Sequence, residues 1–173
     1  NAADITSDSR YVGGIAGKTS GSISECYNVG MISSTYNGSR GHIGGIVGDS
    51  SSTLANCYNV GKLDVGELRN CGAIVGWHNG KTINNCYYLD SSYKQGGNVL
   101  NSGNLDAIFS KTADEMKSSV FANLLGDAFM YKAGDYPALK WETPTASVNF
   151  DITPANAQLT ITKTGADEGS AVY

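Results

Sequence analysis

The sequence predicts an all-β chain: a short right-handed parallel β-helix of about three coils, a C-terminal cap holding one helix, and a two-stranded tail. Three observations predict it. Two words recur as a pair: "GGIAG" with "CYNVG" (Gly13, Cys26), "GGIVG" with "CYNVG" (Gly44, Cys57), and "GAIVG" with "CYYLD" (Gly72, Cys86). Glycine is 22 of 173 residues, against a usual share of ~7%. No segment before Lys111 carries a helical period.

The spacing gives the unit. Gly13, Gly44 and Gly72 are 31 and 28 residues apart, and Cys26, Cys57 and Cys86 are 31 and 29 apart. Length varies in one place, "MISSTYNGSRGHI" against "KLDVGELRNC", so one side of the unit tolerates insertion. Each unit reads as three strands, for example "HIGGIVG", "STLANCYNV" and "KLDV". A unit of ~30 residues cannot bury a face alone and must stack on its neighbours. Stacking at about 4.8 Å puts like on like. The expected ladders are Val12/Ile43/Cys71, Ile15/Ile46/Ile74, Ile23/Leu54/Ile83, Cys26/Cys57/Cys86 and Val29/Val60/Leu89, with Ile5 matching Ile32 and Leu63. Glycine beside the strands is expected to supply positive φ at corners and close backbone approach.

After Tyr93 the pattern changes. Thr112 with Glu115 reads as a capping box, and Met116, Val120, Phe121, Leu124 and Leu125 form one apolar helical face ending at Gly126. This helix near 113–125, with Tyr136, Leu139 and Trp141, is expected to cover the open end of the last coil, which would otherwise be a sticky edge. The organisation is therefore 1–93 solenoid, 94–142 cap and 143–173 tail. In the tail, Val148, Phe150, Ile152 and Leu159, Ile161 alternate around a Pro-Ala-Asn turn, which gives two strands. They pair with the rest of the chain or begin a following module.

The words "GGIVG…T(I/L)xNCYNVG" resemble the GLUG motif, a repeat of bacterial cell-surface and secreted proteins. It occurs in adhesins and in non-catalytic regions of some immunoglobulin A peptidases. Units 13–30 and 44–61 match it well. Unit 72–90 departs at Ala73, Tyr88, Leu89 and Asp90, as expected of the last coil before a cap. The resemblance covers residues 5–93, and "YYLDSS…YPALKW" resembles the ending that commonly follows such repeats. The tail is similar to the opening of an immunoglobulin-like β-sandwich module. The resemblance implies an extracellular setting, a non-catalytic role in adhesion or spacing, neighbouring domains in a parent chain, and a host or matrix glycan or protein as partner.

Composition limits the chemistry. Net charge is −4 and pI is near 5.0, which disfavours nucleic-acid and anionic-membrane surfaces. No run of 18 apolar residues exists, and the chain opens inside the pattern, without a leader, as a fragment or mature piece does. The four cysteines lack the C-x₂₋₄-C pairing of zinc sites. Cys26, Cys57 and Cys86 share a ladder, so buried thiols are expected, with a strained disulfide between adjacent rungs as the alternative. No cofactor is expected. His42 and His78 are the only histidines, no H-E-x-x-H occurs, and both read as solvent-exposed turn residues. Asp49, Asp64, Glu67 and Asp90 fall at different positions of the unit, so the paired carboxylates of a β-helix polysaccharide hydrolase or lyase are not evident. Nor does a calcium loop occur.

The Tyr27/Tyr58/Tyr87 and Asn28/Asn59 ladders read as structure; an exposed tyrosine row would instead stack on sugars. A binding face is best sought in the variable segment, at Tyr36, Asn37, Arg40 and His42, with Glu67 and Arg69 from the next coil. Three classes of function remain: a non-catalytic adhesive or spacing segment, a carbohydrate-binding module of a secreted enzyme, and a polysaccharide hydrolase or lyase. The first leads.

Overall fold

A computed structural model describes residues 1–38, 40–66, 70–79, 82–99, 107–142, 147–152, 159–164 and 170–172, with backbone alone for 97–99 and from 147 onward. The chain divides into two units, Asn1–Pro137 and Ala138–Tyr173.

The first unit is a stack of parallel coils, and the predicted register holds. Ile32 pairs with Ile5 and Leu63, Ile43 with Val12 and Cys71, and Leu54 with Ile23 and Ile83. Cys57 pairs with Cys86 and Tyr58 with Tyr27 and Tyr87. Each coil carries four strands, however, not three. In the second coil these are Ile32–Ser34, His42–Gly44, Val47–Ser50 and Leu54–Asn59. The word "GGIVG" is a corner: one strand ends at Gly44 and the next begins at Val47. The stack also runs past residue 93. Gly97–Val99 pairs with Val75–His78, and Ile108–Lys111 pairs with Ile83–Leu89, which makes a partial fourth coil.

Glycine explains the corner through space, not through backbone sign. A Cβ on Gly48, in the third strand of its coil, would sit 2.5 Å from the carbonyl oxygen of His42 in the second strand, and 2.8 Å from the Val12 nitrogen of the coil below. The second and third strands of a coil thus approach backbone to backbone, and only glycine fits. Two apolar cores result. One gathers Ile46, Val47, Leu54, Cys57, Ile74, Val75, Ile83 and Cys86; the other gathers Val12, Ile32, Ile43, Leu63, Val65 and Cys71. Ile15, at the edge coil of its ladder, stays 39% exposed, and Val29 heads an outward rather than a core ladder.

Positive φ occurs elsewhere, at Glu25 (54°), Asn56 (51°) and Asn85 (46°), each immediately before a ladder cysteine. One left-handed residue breaks the strand alternation, so that Leu54 and Cys57, three apart, both point inward. Asparagine adopts this conformation at lower cost than glutamate. Glu25→Asn is therefore expected to stabilise the chain by about 1 kcal/mol, read from a urea unfolding midpoint. An unchanged or lower midpoint contradicts that reading.

The helix breaks in two. Helix α1 is Ala113–Met116, with the expected Thr112–Glu115 capping box, and α2 is Ser119–Leu124, with its own cap at Ser118, whose Oγ accepts from Phe121 N at 3.1 Å. The kink turns Met116, Phe121 and Leu125 inward and leaves Val120 67% and Leu124 45% exposed, so the single predicted face does not exist. Gly126 does mark the stop, at φ 92°. The cap lies against the tyrosine ladder rather than only over the coil end. Phe121 meets Tyr58 and Tyr87 edge-on at 5.8 and 5.2 Å, and Phe129 lies 5.8 Å from Tyr58 and 6.3 Å from Tyr27.

In the second unit, Ser147–Ile152 and Leu159–Thr164 pair antiparallel as expected, and a third strand, Ser170–Val172, joins them. The turn between the first two lies outside the described residues. Trp141, expected in the cap, is 78% exposed.

Candidate functional site

The fixed words interlock. Asn28 donates through Nδ2 to Gly30 O and to Asn59 Oδ1, both at 2.8 Å, and Asn59 donates to Gly61 O at 2.8 Å. Asn1 extends this buried amide ladder by donating to Asn28 Oδ1 at 2.8 Å. A Cβ on Gly14 would fall 2.7 Å from Asn28 Cγ, and one on Gly45 would fall 2.5 Å from Asn59 Nδ2. The second glycine of the first word is therefore the seat for the asparagine of the second word. In the third coil both change together: Ala73 stands for the glycine, and Tyr88 pairs in register with Asn59. This ladder is scaffold.

The cysteine ladder is scaffold as well. All four cysteines are free thiols, and Cys57, Cys71 and Cys86 are fully buried. Cys26, Cys57 and Cys86 each donate to the carbonyl two residues back, at 3.1, 3.1 and 3.4 Å. The Cys57 hydrogen bond and burial raise the Cys26 thiol far above its ordinary range. For Cys57 the bond with Cys26 acts downward, but the bond with Cys86 and burial outweigh it, and the thiol is pushed up to about 12. Burial carries Cys71 up to about 11. Protonated thiols are poor nucleophiles and poor ligands near neutral pH. Among the described residues, no group of three His, Cys, Asp or Glu side chains is placed to hold a metal ion.

The tyrosine row is covered. Tyr58 is fully buried, stacks on Tyr27 at 5.0 Å with planes 7° apart, and donates its hydroxyl to the Pro137 carbonyl. Tyr87 is buried too, between Phe109 and Phe121. The row is not a surface for sugars.

Of the six residues expected to form a binding face, Glu67 and Arg69 lie outside the described residues. Tyr36 is half-buried and curls over Gly38 of its own loop, and Asn37 and Arg40 are exposed. His42 is not a turn residue. It opens the second strand of its coil at 7% exposure, and its Nδ1 lies 2.7 Å from Asp49 Oδ2. With Asp49 a carboxylate, Nδ1–H donates and fixes the tautomer. Burial lowers the His42 pKa, opposed by the Asp49 hydrogen bond.

His42 and Asp49 flank "IGGIVG" at the mouth of the corner, where its two strands part, and the same spacing recurs as Tyr11 with Lys18 and Asn70 with Trp77. The first members stack in one ladder and the second members in the next. The mouth thus holds three unlike pairs over a repeated word. In the first coil, Lys18 Nζ and the Arg10 guanidinium each lie 4.9 Å from the Tyr11 ring. In the second, His42 packs between Tyr11, edge-on at 5.3 Å, and Trp77 at 5.5 Å. Lys18 Nζ is 3.9 Å from Asp49 Oδ1, and Arg10 Nε donates to Arg40 O at 3.0 Å. The signal that finds this site in sequence is variation at fixed flanks of a repeated word.

His78 sits elsewhere. Expected on a turn, it ends the third strand of its coil, fully buried in the rung of Ser50, with neither ring nitrogen partnered among the described residues. The turn-forming "HNG" misled because the strand runs one residue into it. Burial lowers its pKa. Below about pH 6.5 the unfolded chain takes up a proton that the native state resists, so stability falls as pH falls and is regained as pH rises. His42 acts in the same direction. His78→Leu is expected to flatten the fall in urea midpoint between pH 7.5 and 5.0; an unchanged slope contradicts the assignment.

No helix among the described residues is long and apolar enough to cross a membrane. Comparison with family models, curated proteins and solved structures finds no match for this chain.

Proposed function

We propose that the chain is a non-catalytic β-helical segment of a bacterial surface or secreted protein that spaces neighbouring domains and presents an adhesive face. The class rests on the stacked coils, and the setting rests on the likeness of units 13–30 and 44–61 to the GLUG motif. The observation that carries the adhesive reading is the mouth, where half-exposed Trp77 and the cations Arg10 and Lys18, both held over the Tyr11 ring, are presented along one side of the stacked coils.

The runner-up, a carbohydrate-binding module of a secreted enzyme, is favoured by half-exposed Trp77 beside Asn70 and Asp49. A hydrolase or lyase fits less well, because among the described residues the mouth offers one carboxylate, Asp49, hydrogen-bonded to His42. The test is a binding screen of the folded chain against immobilised glycans and matrix proteins, with a second version carrying Gly-Ser in place of 35–41. That replacement spares the core residues Ile32 and Ile43. Binding by both versions supports an adhesive segment with its face at the mouth. Loss on replacement moves the face to the loop, and absence of any binding leaves a spacer.

A further inference from the structure

We propose that the mouth formed by Tyr11/Lys18, His42/Asp49 and Asn70/Trp77 binds an acidic oligosaccharide, its sugar face on Trp77 and its anionic group at Arg10 and Lys18. The inference rests on the adhesive reading above and names its ligand class.

Three features carry it. The first is length: three rungs span about 10 Å, the length of a disaccharide. The second is composition. Trp77, half-buried, offers an aromatic surface to the apolar face of a sugar ring, while Asn70 and the rest of the Asp49 carboxylate supply planar hydrogen-bonding groups for ring hydroxyls. His42, locked to Asp49 and wedged between Tyr11 and Trp77, sets the orientation of both partners.

The third feature is charge. The protein carries −4 overall, yet exposed Arg10 and Lys18 gather over the Tyr11 ring at one end of the mouth, where Asp49 is the carboxylate nearby among the described residues. The Lys18 side chain is 59% exposed, 3.9 Å from Asp49, a distance at which little of its charge is committed. The Tyr11 ring holds both Arg10 and Lys18 over itself, which preorganises them for an anion. A neutral glycan has no use for this end of the site, and a carboxylate or sulfate does.

The test is a titration of the full chain with three trisaccharide probes of one sugar: the uronate, its sulfated counterpart, and the neutral parent. Binding of an anionic form at least tenfold tighter than the neutral one is expected, weakening as salt rises; the two anionic arms show which group is preferred. Lys18→Ala with Arg10→Ala should abolish the preference, and Trp77→Ala should lower affinity for all three probes at least tenfold. Circular dichroism and urea midpoints identify any variant that fails to fold, and the Lys18 side chain is exposed enough to change alone. Equal binding of neutral and anionic probes overturns the proposal, as does indifference to both sets of substitutions. A folded protein that binds matrix proteins but no trisaccharide overturns it while the adhesive reading stands. One that binds neither overturns both.

Discussion

Gly45→Ala is expected to be among the most damaging small substitutions in the chain. The added methyl would lie inside van der Waals contact of the Ala73 carbonyl oxygen and the Asn59 amide at once. The first is backbone of the next coil and cannot step aside; the second is held by bonds to Asn28 and Gly61. Overpacking of this kind costs about 3 kcal/mol, at the upper end of the usual range. Asn59→Ala should cost a similar amount by a different route, because the Asn28 amide and the Gly61 carbonyl lose buried partners at about 1–3 kcal/mol. The two effects should be partly non-additive. With Asn59 truncated, the side-chain part of the clash at residue 45 disappears while the contact with the Ala73 carbonyl remains, and the double variant should sit measurably above the sum of the singles in urea unfolding. Ala73→Gly, in the coil that already lacks the asparagine, should change stability by about 1 kcal/mol or less. Additive effects at Gly45 and Asn59 would show that the two words do not interlock.

The second large effect is expected at Tyr58. It is the centre of an aromatic column that joins Tyr27 to Phe121 and Phe129, so it fastens the cap to the coils. Tyr58→Ala removes a fully buried ring and should cost about 3–5 kcal/mol. Tyr58→Phe keeps the column but leaves the Pro137 carbonyl without its hydroxyl donor, and about 1–2 kcal/mol should be lost. Hydrogen exchange separates the roles. In Tyr58→Phe the amides of α2 should stay protected, whereas in Tyr58→Ala they should exchange well before those of the Leu54–Asn59 strand. Simultaneous loss of protection in cap and strand would mean that the cap is not a separable layer.

Much of this architecture is legible in sequence because stacking converts repetition into contact. The Ile5/Ile32/Leu63 and Ile23/Leu54/Ile83 ladders follow from spacing alone and pair in that register. What spacing hides is the backbone. A glycine that supplies positive φ and one that supplies room are identical letters, and the repeated words use the second kind. Within the cysteine-bearing segments the left-handed positions fall to Glu25, Asn56 and Asn85, which alternation alone does not mark, while positive-φ glycine is found at Gly66, Gly126 and Gly134 instead. Likewise Ser118 is an unremarkable letter within an apolar helical period, yet its hydroxyl restarts the helix and turns Val120 out.

The site was legible only in part. His42 and Arg40 belong to the neighbourhood expected of a binding face, but Tyr11, Lys18 and Trp77 flank a repeated word outside the variable-length segment, so variation in length does not mark them. His42 reads as solvent-exposed because it lies in the variable-length segment and His78 because it borders the turn "HNG"; burial follows from rung position, and at His42 a carboxylate from the adjacent strand compensates it.

The central claim is that the repeated words build the scaffold while their flanks do the recognising. Placing the second coil's pair in the first coil, Tyr11→His with Lys18→Asp, tests it directly in a single protein measured for urea midpoint and for acidic-trisaccharide affinity. The expected result is a midpoint within about 1 kcal/mol of the parent together with loss of the anionic preference. A midpoint that falls as far as that of Gly45→Ala, or a preference that survives the exchange, contradicts the claim.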